Sequence, residues 1–115
     1  MTKFVIILLS VFTFYSCSIL HSSIVTPNIT NTTWHYVDED KEYDITFAEN
    51  GKLINTNPAD TTPENDTWEQ KGNTIKFYFN DKYVKYTGTI QGNTITGSAK
   101  NSVNKTWDFK MTIVK

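Results

Sequence analysis

From about residue 32 onward, apolar and polar residues alternate with a period of two, and turn-forming residues interrupt the alternation at short intervals. The segment 43–47, which reads YDITF, is the clearest case, because its apolar and polar side chains fall on opposite faces. A period of two is the pattern of a β-strand. No stretch in this region has the period of an amphipathic helix. The pattern therefore predicts an all-β fold.

Turn signals divide this region into about eight short strands. The Asn50-Gly51 pair is the strongest hairpin signal, since both residues tolerate positive φ. The predicted strands cover residues 33–37, 43–47, 52–55, 68–71, 75–79, 83–90, 94–99 and 107–113. Such strands predict an antiparallel up-and-down meander, which can close into a small barrel and so remove its exposed edges. An open sandwich is the alternative.

Length and composition limit the chain to one domain. The 115 residues include 3 Trp, 6 Tyr and 7 Phe, which supply enough large apolar area for one compact core. We assign residues 32–115 to a single β-barrel domain. Every basic residue is a lysine, and the formal net charge is −1. Without arginine there is no bidentate clamp for phosphate, and nucleic-acid binding is not expected.

The amino terminus has the features of a secretory signal. Lys3 gives it a positive start, and the apolar run from Phe4 to Tyr15 is shorter than the ~20 residues that span a bilayer. Ser16 then precedes Cys17, the only cysteine in the chain. We predict a signal peptide over residues 1–16, with cleavage between Ser16 and Cys17. The alternatives are a plain secretory signal that contains a cysteine by chance and a short transmembrane anchor.

The end of this segment resembles the signal of bacterial lipoproteins, although Phe14 and Tyr15 are bulkier than the residues usual there. The resemblance implies that Cys17 receives diacylglycerol on its thiol and a fatty acid such as palmitate on its new amino group. Two or more acyl chains hold a protein firmly to a membrane. Residues 17–31 then form a lipidated tether. With no acidic residue directly after the cysteine, we expect a place in the bacterial cell envelope, on the periplasmic side of the outer membrane.

Three stretches resemble the small lipocalin-like lipoproteins of Bacteroidetes-type bacteria. They are residues 68–75 (WEQKGNTI), 86–99 (YTGTIQGNTITGSA) and 106–109 (TWDF). The resemblance extends over most of residues 32–115 and implies an up-and-down barrel with an apolar interior site. It departs from the lipocalin Gly-x-Trp signature, because Thr32 stands where the glycine would be.

The large aromatic residues of the predicted inner faces are the candidate ligand contacts. They are Trp34, Trp68, Phe77, Trp107 and Phe109. Such side chains either fill a narrow eight-stranded barrel or line a cavity within it. For a domain of this size we favour the filled core, and the ligand role is the second interpretation.

No residue pattern indicates catalysis or a bound metal. After cleavage the only histidines are His21, in the tether, and His35, which should face solvent on the first strand. The strand carboxylates Asp44, Glu69 and Asp108 alternate with apolar neighbours and should also point outward. The acidic turn after the first strand is interpreted as solvated, not as a calcium site. We predict neither an enzyme nor a cofactor.

These observations lead to two hypotheses of function. The first is a lipid-anchored envelope lipoprotein whose β-barrel binds a small apolar ligand or an envelope protein. The second is an interaction or inhibitor protein with a filled core that acts through its loops, mainly residues 57–66 and 100–105.

Overall fold

The computed structural model describes residues 27–114, and this part of the chain is almost entirely β-structure. Its strands are β1 (Thr32–Val37), β2 (Glu42–Phe47), β3 (Leu53–Asn55), β4 (Thr67–Lys71), β5 (Thr74–Phe79), β6 (Val84–Gln91), β7 (Thr94–Asn101) and β8 (Thr106–Ile113). Two short 3-10 turns, Glu49–Gly51 and Pro63–Asn65, complete the regular structure described. No helix among these residues is long and apolar enough to cross a membrane. The prediction of an all-β chain of about eight strands is confirmed.

The strands form one antiparallel sheet that nearly closes on itself. Their order is β3-β2-β1-β8-β7-β6-β5-β4, so the first strand pairs with the last. β3 and β4 meet at a seam, where one bridge joins Lys52 to Thr67. The N–H of Leu53 also donates to the carbonyl oxygen of Asp66 there, at 3.2 Å. The fold is therefore an up-and-down barrel, and the open-sandwich alternative is wrong.

β6 and β7 approach each other closely at a pair of facing glycines. Gly88 and Gly97 are cross-strand partners, and the register continues unbroken on both sides of them. A Cβ atom at position 97 would collide with the backbone of Thr87. Glycine at this position therefore lets two long strands pair at full length without a bulge.

The inward-facing side chains form one continuous core made largely of aromatic rings. The rings of Phe77 and Tyr86 stack with centroids 4.4 Å apart, and those of Tyr36 and Tyr43 with centroids 4.5 Å apart. Ile29 is only 3% exposed and joins this core, so barrel packing begins within the segment predicted as tether. The other buried apolar residues are Trp34, Ile45, Phe47, Leu53, Ile75, Phe79, Ile90, Ile95, Ala99, Phe109 and Met111.

The two ends of the barrel carry different parts of the chain. Because successive strands alternate in direction, the connections β1–β2, β3–β4, β5–β6 and β7–β8 all lie at one end, which we call the distal end. Residues 27–31 lie at the opposite, amino-terminal end. There Gln70 accepts a hydrogen bond from the N–H of Ile29 at 3.4 Å and donates one to the carbonyl oxygen of Pro27 at 2.6 Å. The chain from the amino terminus therefore enters the barrel far from the distal connections.

Candidate functional site

An open cavity of about 340 Å³ lies at the distal end of the barrel. We call it the distal cup. All four distal connections contribute to its wall, and the aromatic side chains of Tyr43, Phe79, Tyr86 and Trp107 form its floor. A concave site with an aromatic base and polar walls is the usual form of a small-molecule site.

The positions of the four floor residues follow directly from the strand pattern. Each floor residue is an inward-facing residue near the distal end of its strand, so the four side chains form the top layer of the core. The Tyr86 ring lies 5.2 Å from that of Phe79 and 6.0 Å from that of Trp107. Tyr43 completes the layer, with its ring centroid 6.2 Å from that of Phe79. These tilted and edge-on contacts are favourable aromatic geometries and stabilise the floor.

A hydrogen-bond network ties the floor to the β1–β2 turn. The hydroxyl of Tyr36 donates to Oδ2 of Asp38 at 2.6 Å and accepts from Nε1 of Trp107 at 3.0 Å. Oδ1 of Asp38 accepts from the backbone N–H groups of Asp40 and Lys41, at 2.8 and 2.9 Å. Asp38 thereby fixes both the turn and the orientation of the Trp107 ring.

The phenol groups beneath the cup remain neutral at physiological pH. Burial raises the pKa of Tyr86 to about 12, although hydrogen bonding with the neighbouring Tyr43 and Tyr36 hydroxyls lowers it in part. The pKa of Tyr36 is raised more than that of Tyr86, first by burial and then by the hydrogen bond to Asp38. Burial also raises the pKa of Tyr43 more than that of Tyr86. These hydroxyls therefore stay protonated and act as neutral hydrogen-bonding groups.

The wall of the cup is acidic. Its charged side chains are Asp38, Glu39, Asp40, Asp60, Lys41 and Lys105, so carboxylates outnumber ammonium groups by two. Asn57, Asn80 and Asn101 add neutral polar groups. Such a wall disfavours anions and suits a neutral or cationic molecule.

A pair of carboxylates fixes the β3–β4 loop beside the cup. Asp66 is only 1% exposed, whereas Asp60 borders the cavity. The side-chain amide of Asn55 donates to both, at 2.8 Å to Oδ2 of Asp60 and 2.9 Å to Oδ2 of Asp66. Oδ1 of Asp66 accepts from the N–H of Asn80 at 3.0 Å, and Oδ1 of Asp60 accepts from the N–H of Thr62 at 3.0 Å.

The two carboxyl groups differ strongly in acidity. Burial, together with the neighbouring Asp60, raises the pKa of Asp66 to about 7. Burial alone would also raise the pKa of Asp60, but hydrogen bonds from Asp66, Asn55 and the backbone of Thr62 lower it below its usual value. The pair therefore shares one proton at mildly acidic pH, because two like charges so close cannot both ionise readily.

The structure does not bring the five predicted aromatic contacts together in one site. Trp107 is half-buried and belongs to the floor of the distal cup. Trp34, Phe77 and Phe109 lie inside the core, at most 4% exposed. Trp68 lies at the amino-terminal end, where its Nε1 donates to the carbonyl oxygen of Ala48 at 2.7 Å.

The outer face carries the polar residues that were predicted to lie there. Nδ1 of His35 lies 2.8 Å from Oδ1 of Asp44, its cross-strand partner, and both side chains are partly exposed. Glu69 and Asp108 are exposed on their strands. Residues 27–114 contain no group of three histidine, cysteine or acidic side chains placed to hold a metal ion. Cys17, Ser16 and His21 lie outside the described residues.

The fold and the cup together define the class of protein. The chain is a small, eight-stranded antiparallel barrel of lipocalin-like shape, with a filled middle and an aromatic-floored cavity at one end. Comparison with protein-family models, with curated proteins and with solved structures gave no match.

Proposed function

We propose that this chain is a lipid-anchored lipoprotein of the bacterial cell envelope, related to the lipocalin-like lipoproteins, and that it binds a small molecule in the distal cup. The observation that supports binding most directly is the cup itself, a cavity of about 340 Å³ over four aromatic side chains. A site of this volume is within the range of small-ligand sites. The filled core below excludes deeper entry, so the ligand rests on the floor.

The lining points to a compact ligand with two kinds of surface. A flat apolar face would contact the ring edges of Tyr86 and Trp107. Hydroxyl or amino groups on the ligand would donate to the acidic wall, which includes Asp40 of the β1–β2 connection and Asp60 of the β3–β4 connection. The negative excess of the wall favours neutral or cationic molecules over anions.

Replacement of Trp107 by alanine tests this assignment. Aminonaphthalene is a suitable fluorescent probe, because it combines a flat apolar body with an amino group. Removing a large aromatic contact costs about 1.5–3 kcal/mol, so we expect its affinity to fall at least about tenfold. Titration of the purified protein, followed by probe fluorescence, measures the change.

The matched control is Trp68→Ala, which removes the same side chain at the opposite end of the barrel. Affinity should stay within about twofold of the parent, provided that circular dichroism shows both variants folded. Equal loss in both variants, or no binding by the parent, would contradict the assignment of the cup. Native mass spectrometry of protein purified from envelope extracts would then identify the natural ligand.

The lipid anchor is supported by the sequence around Cys17 and fits the arrangement of the two ends. Cys17 and Pro27 are separated by ten residue steps, which reach at most about 36 Å when extended. Since residues 27–31 lie at the amino-terminal end of the barrel, a membrane-bound tether would leave the distal cup facing away from the lipid.

The variant Cys17→Ser is expected to move the protein from the membrane fraction to the soluble fraction, because serine offers no thiol for diacylglycerol. Metabolic labelling with palmitate, read together with membrane fractionation, measures both effects. Ser18→Ala is the matched control and should leave labelling and fractionation unchanged. A Cys17→Ser protein that stayed in the membrane would disprove the anchor.

Loop-mediated binding to a protein is the second candidate. One observation favours it: the loops 57–66 and 100–105 both border the same end of the barrel, beyond the filled core. Chemical cross-linking in the envelope would distinguish the two candidates. A stoichiometric protein partner that is retained by Trp107→Ala supports the loop surface, whereas co-purified small molecules that this variant loses support the cup.

A further inference from the structure

The β3–β4 loop is the part of the cup wall that lies beside the seam of the barrel. It runs from residue 56 to residue 66, across the seam where a single bridge joins Lys52, just before β3, to Thr67 of β4. Asn57, Ala59 and Asp60 of this loop face the cavity. A wall segment beside an incomplete seam is able to move without breaking strand pairs elsewhere in the sheet.

Side-chain hydrogen bonds supply much of what holds this loop in place. Asn55 on β3 donates one amide hydrogen to Asp60 and the other to Asp66. On the far side of the seam, Asn80 donates its backbone N–H to Asp66 and accepts from the hydroxyl of Thr62 at 2.7 Å. The carboxyl pair is therefore the point at which β3, the loop and the end of β5 meet.

We propose that the Asp60–Asp66 pair is a pH-operated latch on the distal cup, which holds the β3–β4 loop closed while the pair keeps one proton and loosens it when that proton leaves. This inference rests on the proposed function, since it assigns a control to the same cavity. The donors of Asn55, Asn80 and Thr62 are all used in the protonated state. A second negative charge at the buried Asp66 would then repel the charge of Asp60, which lies on the other side of the shared Asn55 amide.

The charged surroundings set the direction of the switch. Asp60 acts on Asp66 from the loop, and the charge of Asp66 acts in turn on the Tyr86 phenol of β6. Asp38 adds a negative charge from across the cup. Glu64 on the loop and Lys52 across the seam are exposed, and so are Asp81 and Lys82 in the turn after Asn80, so solvent screens their effect.

Rising pH therefore opens the latch. The pKa of Asp66 is about 7, which places the change at neutral pH. Below it, the loop closes the cup and the ligand is held. Above it, repulsion within the pair frees the wall and speeds release of the ligand.

A pH titration of the backbone amide of Asn80 tests the latch directly. This N–H donates to Asp66, so its NMR shift in the full chain should titrate with a midpoint near 7. In Asp60→Asn, a neutral amide replaces the second carboxylate, and the midpoint should fall by about one unit or more. Glu64→Gln removes an exposed carboxylate from the same loop and should leave the midpoint unchanged.

Binding of aminonaphthalene at about pH 6 and about pH 8.5 tests the link to the cup. In the parent, we expect the affinity for the probe to fall about fivefold from the lower to the higher pH. In Asp60→Asn, we expect the affinities at the two pH values to be nearly equal to each other. The latch would be overturned if the chemical shift of the Asn80 amide did not change between about pH 5 and about pH 9. It would also be overturned if Asp60→Asn did not move the midpoint of that change. Titration without any change in affinity would overturn its control of the cup. Absence of probe binding at every pH would instead reject the proposed function, and the amide titration would still decide the latch.

Discussion

Replacement of Phe77 by alanine is expected to lower the free energy of unfolding by about 3–5 kcal/mol. The Phe77 side chain is fully buried, and its ring centroid lies 4.4 Å from that of Tyr86 and 5.5 Å from that of Phe109. Its strand β5 is paired on both sides, so the backbone cannot move inward to fill the void. The total free energy of unfolding of a natural domain is about 5–15 kcal/mol, so the variant would lose a large part of its stability.

Urea unfolding followed by tryptophan fluorescence measures this loss. Lys76→Ala is the matched control, because Lys76 precedes Phe77 on the same strand and points to solvent. Its effect should stay within about 0.5 kcal/mol. If Phe77→Ala cost less than about 1.5 kcal/mol, the middle of the barrel would not be closely packed, and a ligand could enter it.

A filled middle has a direct consequence for how such a barrel binds. Phe77 and Phe109 occupy the space that a larger barrel would leave for a ligand, and Tyr36 stacks against Tyr43 just below the distal end. Space for a cavity is thereby left at the ends, where loops can shape it without disturbing the core. The distal end carries the cup, whereas the amino-terminal end receives residues 27–31, whose Ile29 packs into the core.

The fold could be predicted from the sequence because strand patterning is local. Tyr43, Ile45 and Phe47 alternate with polar residues, and all three are buried as that pattern requires. The Asn50-Gly51 signal also lies at a turn, where both residues have positive φ. Closure followed from the number and shortness of the strands, which leave no favourable open edge.

The cup could not be predicted in the same way, because it depends on where four connections meet. Tyr43, Phe79 and Tyr86 appear in the sequence only as core-facing strand residues. Nothing local marks them as the last layer before an opening. The sequence marks Trp107 only as one of several inward-facing aromatic residues, and its place at the distal end depends on the direction of β8 in the closed barrel.

The carboxylate pair was also hidden in the sequence. Asp60 and Asp66 belong to the longest polar segment of the domain, where acidic residues are normally solvated. Asp66 becomes buried because the loop folds over the seam and Asn55 draws both side chains together. The one local sign of this burial is the position of Asp66, which directly precedes β4 and therefore lies at the end of a barrel strand.

The stability of the protein is expected to fall by about 2–4 kcal/mol as the pH rises from about 4 to about 8. The cause is Asp66, whose pKa is about 7 in the folded chain against an ordinary value of 3.8. Between these values the folded state binds more protons than the unfolded state, so raising the pH favours unfolding. The contribution is fully present below about pH 4 and is lost as the pH passes through 7.

Other shifted groups act outside this interval. The pKa of Asp60 is lowered, so its contribution is present above its ordinary value and is lost only under more acidic conditions. The pKa values of the buried phenols of Tyr36, Tyr43 and Tyr86 are raised, so their contribution to the stability of the protein is lost only above about pH 10.

Urea unfolding at about pH 4.5 and about pH 8 therefore isolates the contribution of Asp66. Asp66→Asn cannot ionise, and its free energy of unfolding should change little over this range, while Glu64→Gln should follow the parent. A parent whose stability rose from pH 4.5 to pH 8 would show that Asp66 is ionised without penalty, and the shared proton on which the latch depends would be ruled out.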